Sequence, residues 1–431
     1  MKKIICLFVV LTFSFLMVNS GVAQEVKISG ELRPRYEMRH GFGTLIPDAE
    51  EAANFVSQRT RINAWFANSN YRFYLSLQDV RVWGDVPQLN KADVNGPSVH
   101  EAWAELLLSE AWSVKAGRQE IIYDDSRIFG NVGWAQQARS HDAAVIKFEP
   151  NTSHRLDVGL AYNALQESNF KTDYTISNYK TMQYAWYHGN FGKLGVSLLV
   201  LNNGYAYHTI QDSADVEKVA FSQTLGPRLS YKDGKFSANA TFYYQTGKNS
   251  ANRQLSAIYF AADAGYQIQQ SLSIGLGIEY LSGSDTKDGA TGEDDHSFTP
   301  LYGTNHKFNG WMDYFYVGNH GGSVGLVDVY LPINFKKDKW SLTLMPHYFN
   351  TAATLSTYYG ETWKDQDSYL GTEIDFSAAY AFSPEVTIEA GYSHLFASES
   401  MQVLKNSGNY KNTQHWAWLM LTVKPVFFSS K

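Results

Sequence analysis

The sequence predicts an all-β protein, a closed antiparallel transmembrane β-barrel of about eighteen strands. Three observations lead to this fold class. Apolar and polar residues alternate strictly, short turns alternate with long loops, and the one apolar run, at the N-terminus, is too short for a comfortable membrane-spanning helix. No other window of the 431-residue chain approaches the ~20 apolar residues that such a helix needs, which excludes a helical membrane protein.

The N-terminus has the pattern of an export signal. Lys2 and Lys3 precede an apolar stretch, residues 4–18, which is followed by small residues up to position 23. Residues 1–23 are therefore predicted to be a secretory signal peptide. No Pro-rich or Gly/Ser-rich linker divides the remainder, so residues 24–431 are predicted to form a single barrel domain.

Composition excludes several function classes. The only cysteine, Cys6, lies within the predicted signal, which removes disulfides, zinc–thiolate sites and cysteine catalysis. Acidic residues outnumber basic ones, 42 against 36, so a general nucleic-acid binder is not expected. We expect no cofactor and no nucleic-acid partner.

The alternation is clearest from residue 26 to residue 39. One face carries Val26, Ile28, Leu32, Tyr36 and Met38, and the other carries Lys27, Glu31, Arg33, Arg35, Glu37 and Arg39. An arginine that faced lipid near the bilayer midplane would cost ~2–4 kcal/mol, so the charged face must line the lumen. A lumen this polar predicts a water-filled channel.

The connections predict the orientation of the barrel. Tight polar links alternate with long loops near residues 40–54, 84–98, 123–140, 165–179, 204–217, 284–322, 351–367 and 398–412. This alternation is typical of a barrel in a Gram-negative outer membrane, with short periplasmic turns, long extracellular loops and both termini in the periplasm. A soluble β-sandwich or propeller also has alternating strands, but it does not predict this sequence of turns. Outer-membrane lipid and lipopolysaccharide are the expected surroundings.

The arginines are unevenly distributed, because only Arg228 and Arg253 follow residue 156. In a barrel this asymmetry becomes a basic stripe along one wall, with acidic partners such as Glu31 and Asp79 on the same strands. Two interpretations remain open. The charges satisfy one another and stiffen the wall, or surplus guanidinium groups bind carboxylates and phosphates in bidentate fashion and make the channel anion-selective.

Several short motifs are similar to a known family. They are ELRPRYE at 31–37, QRTR at 58–61, LQDVRVWG at 77–84 and GRQE at 117–120, with a further segment at 300–315. In order and spacing they resemble the alginate export family of outer-membrane porins, most densely over residues 25–150. The resemblance implies an eighteen-stranded monomeric barrel with an arginine-rich pore that passes an anionic polyuronate outward.

The resemblance also selects candidate site residues. The candidate pore residues are Arg33, Arg35, Arg59, Arg61, Arg81, Arg118 and Arg139, together with Glu31 and Asp79. The candidates in the long loop are His306, Trp311 and Asp313. The expected function is a channel for anionic solutes, such as alginate or its oligomers. The alternatives are a general or small-anion porin and a surface-binding barrel whose lumen is plugged.

Two further motifs each have an ordinary structural explanation. Residues 321–325 match the G-x-S-x-G pattern of hydrolases, but they join a loop to a strand rather than a strand to a helix, so no enzyme is predicted. Asp285, Asp288 and Asp294 are candidate Ca²⁺ ligands, but Lys287 breaks the EF-hand spacing and no metal site is expected.

The aromatic residues form two groups, one near the ends of predicted strands and one in the long loops. Trp83, Trp112, Trp340, Trp416 and Trp418 lie near predicted strand ends and are interpreted as interfacial girdle residues. The loop aromatics, which could stack on sugar rings or pack the loops, are Tyr205, Tyr207, Trp311, Tyr314, Tyr358, Tyr359 and Trp363.

Overall fold

The computed structural model describes residues 24–90, 93, 96–292 and 294–430. The predicted signal peptide lies outside these residues. One antiparallel sheet contains 20 strand segments, and a separate hairpin contains two more. Two strands of the sheet are each divided into two segments, so the sheet comprises 18 strands, as the sequence predicts.

The strands are numbered in chain order. They are β1 Glu25–His40, β2 Ala53–Ala67, β3 Tyr71–Val82, β4 Ser98–Leu107, β5 Trp112–Gln119, β6 His141–Asn151, β7 His154–Tyr162, β8 Thr181–Phe191 and β9 Leu194–Gln211. They continue as β10 Ala214–Asp233, β11 Phe236–Lys248, β12 Gln254–Gln269, β13 Leu272–Leu281, β14 Leu326–Tyr330 with Ile333–Lys337, β15 Trp340–Asn350, β16 Tyr369–Ser383, β17 Val386–Ala397 and β18 Gln414–Val423 with Val426–Ser429.

The sheet closes on itself. Each strand pairs with its neighbours in sequence, and β1 pairs with β2 on one side and β18 on the other. Pro332 and Pro425 lie at the two interruptions, where a residue without a backbone N–H cannot donate to the ladder. Within the described residues, closure leaves the barrel sheet without a free edge, which a lipid environment requires.

The two faces of β1 follow the sequence pattern. Leu32 and Tyr36 are 39% and 42% exposed on the outer surface, whereas Arg33, Arg35 and Glu37 are 7%, 4% and 0% exposed. The charged face therefore points into the barrel. Because side chains alternate along a strand, this assignment holds for the whole element.

The two rims differ as expected. Glu25 and Ser429, near the two ends of the described chain, lie at the rim of short turns, while the opposite rim carries the loops with helices α1 Thr286–Thr291, α2 Val317–His320 and α3 Glu399–Lys405. A 3₁₀ turn, Asn305–Lys307, and the hairpin Ser356–Tyr358 with Trp363–Asp365 also belong to these loops.

One predicted loop is wrong. Residues 204–217 continue β9 and β10, which are joined by a two-residue turn at Asp212 and Ser213. Both residues have positive φ, 50° and 66°, as a type I′ hairpin turn requires. The polar composition of this segment suggested a loop, but it forms a hairpin that continues past the ends of the neighbouring strands β8 and β11.

Candidate functional site

Two long loops fold into the barrel and pack against each other, the β5–β6 loop (residues 120–140) and the β13–β14 loop (residues 282–325). Phe129 and Tyr302 form a parallel β-bridge, and Gly130 N donates to Tyr302 O at 2.9 Å. The approach is so close that a Cβ on Gly130 would lie 2.3 Å from Thr304 Oγ1. The inward fold of the β13–β14 loop, which the sequence left undecided, joins both loops into one body in the lumen.

Three candidate arginines hold the β5–β6 loop. Arg33 donates to Gly133 O at 2.8 Å and to Trp134 O at 3.1 Å, and Arg35 donates to Trp134 O at 2.7 Å. Arg59 donates to Gln136 O at 3.4 Å. Every residue has a backbone carbonyl, so the pattern of side chains in the sequence could not predict these partners. All three side chains are buried against the loop, and of the three only Arg35 also lines one of the two cavities described below.

Arg61 and Arg81 lie farther along the same wall. Arg61 donates to Gln78 Oε1 at 3.1 Å, and Gln78 in turn donates to Gln137 O at 3.0 Å, which ties the loop to β3. Arg81 pairs with Asp79 at 2.6 Å, and Asp79 is one of the acidic partners expected on the same strands. Arg81 remains partly exposed at the rim of the long loops.

Arg118 and Arg139 are separated from the others. Arg118 pairs with Asp142 at 2.8 Å, and its side chain is 42% exposed. Arg139 donates to Gly303 O at 3.0 Å, so it links the two inward loops. Some of the predicted arginines therefore bind the inward loops, and others are partly exposed. They do not form one continuous basic stripe along the wall.

A stack of three side chains, Arg35, Trp134 and His306, connects β1 to the two inward loops. The Arg35 guanidinium lies 3.9 Å from the centroid of the Trp134 ring, and the His306 ring stacks on Trp134 at 4.7 Å. His306 Nδ1 lies 2.8 Å from Asp313 Oδ1, which fixes the imidazole. Two of the three loop candidates, His306 and Asp313, thus meet the arginine wall at Trp134.

The stack lies between two cavities. The larger one has a volume of about 870 Å³ and extends to the short-turn rim; its cationic lining residues are Arg228, Lys232, Lys235 and Lys307. The smaller one, about 580 Å³, lies toward the long loops and is lined by Arg35, Arg39 and Arg81 among others. Trp134 and His306 line both cavities. These two rings therefore lie at the boundary between the two cavities.

A second part of the lumenal wall, on β13, β14 and β16, is acidic. Its buried carboxylates are Glu279, Asp328, Glu373 and Asp375. Arg127, from the β5–β6 loop, pairs with Glu279 at 2.9 Å and donates to Asn309 Oδ1 at 2.8 Å. His347 Nδ1 lies 2.9 Å from Asp328 Oδ1. An unpaired carboxylate at such depth is costly, so the pairing with Arg127 and His347 favours the folded arrangement of this wall.

The tip of the β13–β14 loop docks on this acidic wall. Met312 N donates to Glu373 Oε1 at 2.8 Å, and Trp311 N donates to Asp375 Oδ2 at 3.2 Å. Gly310 has φ +82°, and a Cβ there would lie 2.7 Å from the Glu373 carboxylate. Trp311, the third loop candidate, therefore positions the loop through its backbone.

Sequence reasoning missed the acidic wall. A signal was available, because Glu373 and Asp375 share one face of β16 and Glu279 lies on the inward face of β13. The uneven distribution of arginines drew attention to the N-terminal wall alone. Strand parity would have placed these carboxylates in the lumen.

The girdle interpretation is wrong for Trp416 and Trp418. These side chains are 0% and 8% exposed and line the larger cavity, whereas Trp83, Trp112 and Trp340 are exposed. Trp416 Nε1 donates to Glu37 Oε2 at 3.1 Å, a lumenal partner. A strand-end position alone does not say which face an aromatic ring occupies.

The loop aromatics divide into two groups. Tyr314 is fully buried and its hydroxyl donates to Gly41 O, so it packs the loops. Tyr358, Tyr359 and Trp363 are exposed at the small hairpin. Tyr314 therefore packs the loops, whereas stacking on sugar rings stays a prediction for Tyr358, Tyr359 and Trp363.

The candidate Ca²⁺ ligands do not meet as a triad. Asp285 accepts from Thr354 N at 2.5 Å, at the start of α1. Within the described residues, the one group of three closely placed metal-ligating side chains is His100, Glu101 and Glu120. The expectation of no metal site at the aspartates stays a prediction.

Ser323 of the G-x-S-x-G match lies beside a histidine. Its Oγ is 3.3 Å from His320 Nδ1, while His320 Nε2 donates to Gly325 O at 3.1 Å. Among the described residues no carboxylate is bonded to this ring to orient it as a base. The prediction that the chain is not an enzyme is unchanged.

Acid is expected to loosen the β13–β14 loop through His320. Burial, aided by the charge of Lys405, lowers the pKa of His320 to about 3. The folded loop therefore holds His320 neutral, and its stability falls as pH drops below the ordinary pKa of about 6.5, by roughly 2–3 kcal/mol at pH 4.5. Phe315, Ser323 and the Gly325 carbonyl are its other neighbours.

Limited proteolysis of the folded barrel between pH 7 and pH 4.5 measures this effect, with an acid-active protease. Cleavage within the loop should rise steeply with acid in the wild type. His320→Gln, which keeps a side-chain donor but does not titrate, should show a flatter profile. A wild-type profile no steeper than that of the variant would contradict the role given to His320.

Comparisons with solved structures show the same fold. OccK5 (OpdH) of Pseudomonas aeruginosa aligns over 94% of this chain and 98% of its own, with TM-score 0.59 and 10% identity. OccAB4 of Acinetobacter baumannii aligns over 94% and 99%, with TM-score 0.61 and 11% identity. OccK8 (OprE) of Pseudomonas aeruginosa gives TM-score 0.60 at 11% identity, over 94% and 98%.

Sequence comparison identifies the family. A comparison with curated proteins found no match. No helix in the described residues is long and apolar enough to cross a membrane. The family model for alginate export matches residues 24–413. With its closed eighteen-stranded barrel, the chain belongs to the alginate export family and is a channel protein of the Gram-negative outer membrane.

Proposed function

We propose that the barrel is a passive, monomeric channel for anionic solutes, and that acidic saccharides such as alginate oligomers are its substrates. The observation that carries the proposal is a charge imbalance on the inward faces of β1 and β2. Between residues 29 and 63 these faces hold Arg33, Arg35, Arg39, Arg59 and Arg61 against only Glu31 and Glu37. The surplus is positive and lies in a confined space, where salt screens it poorly.

The surplus positive charge faces the smaller cavity, which lies toward the long loops. Glu37 accepts from both Arg35 and Arg39, at 2.8 Å and 2.7 Å, so one carboxylate serves two guanidinium groups. Arg39 is 34% exposed. An incoming carboxylate can therefore pair with Arg39 without displacing the β5–β6 loop.

On the inner side, the larger cavity combines cations with indole rings. Lys232, Lys235 and Lys307 lie in a lining that also contains Trp311, Trp416 and Trp418. Arg228 in the same lining is paired with Asp125 at 2.7 Å. Aromatic faces accept the apolar faces of sugar rings while cations bind carboxylates, a combination that suits a uronic-acid oligomer. Family membership supports the same class of solute.

Planar-bilayer recording tests the proposal. We expect open steps with anion selectivity, and block of the current by oligouronates but not by neutral maltooligosaccharides of equal length. Arg39→Gln with Arg61→Gln should lower the anion-to-cation permeability ratio roughly threefold, because both changes remove positive charge and neither residue donates directly to the β5–β6 loop. Arg39→Lys with Arg61→Lys keeps the charge and should preserve the ratio. Open channels that are indifferent to these charges would refute anion selectivity.

A second candidate function is a plugged barrel that binds ligands through its outer loops. The observation that favours it is the Arg35–Trp134–His306 stack, which lies between the two cavities. The same recordings decide between the two functions. Absence of conductance in a folded barrel would favour the plugged, surface-binding function.

A further inference from the structure

A second cluster of functional groups lies on the wall formed by β4 and β5. One imidazole nitrogen of His100 and one carboxylate oxygen each of Glu101 and Glu120 all lie within 4.8 Å of one another. Donor atoms around a single zinc ion lie roughly 3–4 Å apart, given metal–ligand distances near 2 Å. Small side-chain adjustments would bring these three donors to that spacing.

A β-bulge builds the cluster. In the β3–β4 ladder Ser76 pairs with Glu101, whereas Leu77 pairs with Val99, so His100 is an extra residue on β4. A bulge redirects side chains locally, which accounts for consecutive residues, His100 and Glu101, contributing to one site. His100 is 3% exposed, so its ring is held within the wall.

Surrounding donors orient both carboxylates. Trp103 Nε1 and Glu120 N donate to Glu101 Oε2 at 3.1 Å and 3.0 Å. Asn131 Nδ2 donates to Glu120 Oε2 at 2.8 Å, and Glu120 Oε1 lies 2.8 Å from His100 Nε2. Carboxylates that ligate metals are held in this manner, by hydrogen bonds to outer groups.

An independent observation points to a ligand at the same place. Ser76 Oγ has no hydrogen-bond partner among the described residues, and the Ser76 side chain is 1% exposed. Asn63 Oδ1 and Arg61 Nη2 also lack a hydrogen-bond partner there. Ser76 lies directly across the ladder from Glu101, and Asn63 directly across from Ser76. Buried polar atoms without partners are rare and mark places for an ion or its bound water.

We propose that His100, Glu101 and Glu120 bind a divalent cation of the Zn²⁺ class, with water completing the coordination and hydrogen-bonding toward Ser76 and Asn63. One neutral imidazole and two carboxylates match the charge and donor preference of that ion. The nearby cations Arg61 and Lys115 weaken the affinity but do not supply ligands.

The site has a mechanical consequence. Glu120 is the first residue of the β5–β6 loop, and Asn131 of that loop donates to it. A cation bound here therefore links the β4 bulge to the loop that carries Trp134. Binding favours the folded loop by mass action, since a loop that has left the wall loses Glu120 from the ligand set. This inference does not depend on which solute the channel passes.

The test uses untagged full barrel, folded in detergent, stripped with a chelator and titrated with Co²⁺ and Zn²⁺. We expect one ion per chain, a Co²⁺ d–d absorption band that Zn²⁺ bleaches, and an increase in thermal stability. His100→Gln and Glu120→Gln should abolish the band, and Asn131→Ala should weaken binding about tenfold. His208→Gln is the matched control, because His208 lies 3.2 Å from Asp215 on the exposed β9–β10 hairpin.

Wild-type protein without a stoichiometric ion, or a His100→Gln variant that binds as tightly as His208→Gln, would overturn the proposal. X-ray absorption of the Zn²⁺-loaded wild type provides a check that needs no variant. It should show nitrogen and oxygen ligands with the signature of one imidazole. A spectrum without imidazole, or with several, would equally exclude this site.

Discussion

Trp134→Ala should raise the single-channel conductance at least about twofold, because the indole ring lies between the two cavities and its removal should join them. Trp134 and His306 line both cavities, and the Trp134 ring is held between the Arg35 guanidinium and the His306 imidazole. Arg33 binds the backbone carbonyls of residues 133–135 and not the indole. Removing the ring should therefore widen the passage while the loop stays in place.

The matched control is Trp340→Ala, which removes an exposed indole near the short-turn rim and should leave conductance unchanged. His306→Ala should give a smaller increase than Trp134→Ala, since Trp134 keeps its contact with Arg35. Equal conductance in wild type and Trp134→Ala would show that the current is limited elsewhere.

Arg127→Met is expected to destabilise the docked loops by about 3–5 kcal/mol, the typical cost of removing one partner of a buried ion pair. Arg127 is 1% exposed, pairs with Glu279 at 2.9 Å and lies 4.5 Å from the centroid of the Phe308 ring. Its loss leaves Glu279 beside Asp328 without a cation from this loop. The loss should appear as protease sensitivity of the two inward loops and as a lower unfolding midpoint.

A second substitution separates charge from packing. Arg127→Met with Glu279→Gln removes the uncompensated carboxylate and should recover a large part of the lost stability. Lys287→Met is the control, because the Lys287–Asp365 pair is exposed and should contribute less than about 1 kcal/mol. A loss for Arg127→Met as small as that for Lys287→Met would contradict the importance of this ion pair.

The sequence by itself determined the barrel and the faces of its strands. The period of two that places Leu32 outside and Arg33 inside is a local property, and one residue of slippage would turn every arginine of β1 toward lipid. The alternation of turns and loops likewise follows from local composition. The fold class, the strand number and the lumenal position of Arg33 and Arg35 were therefore predictable.

Only the tertiary structure decided what the arginines contact. The carbonyl partners of Arg33 lie about one hundred residues away on a loop, and carbonyls have no sequence signature. The inward path of the β13–β14 loop depends on its contacts with Glu373 and Asp375, which come from a distant strand. Long loops can fold inward or outward with the same composition, because the choice rests on contacts that form only after the barrel has closed.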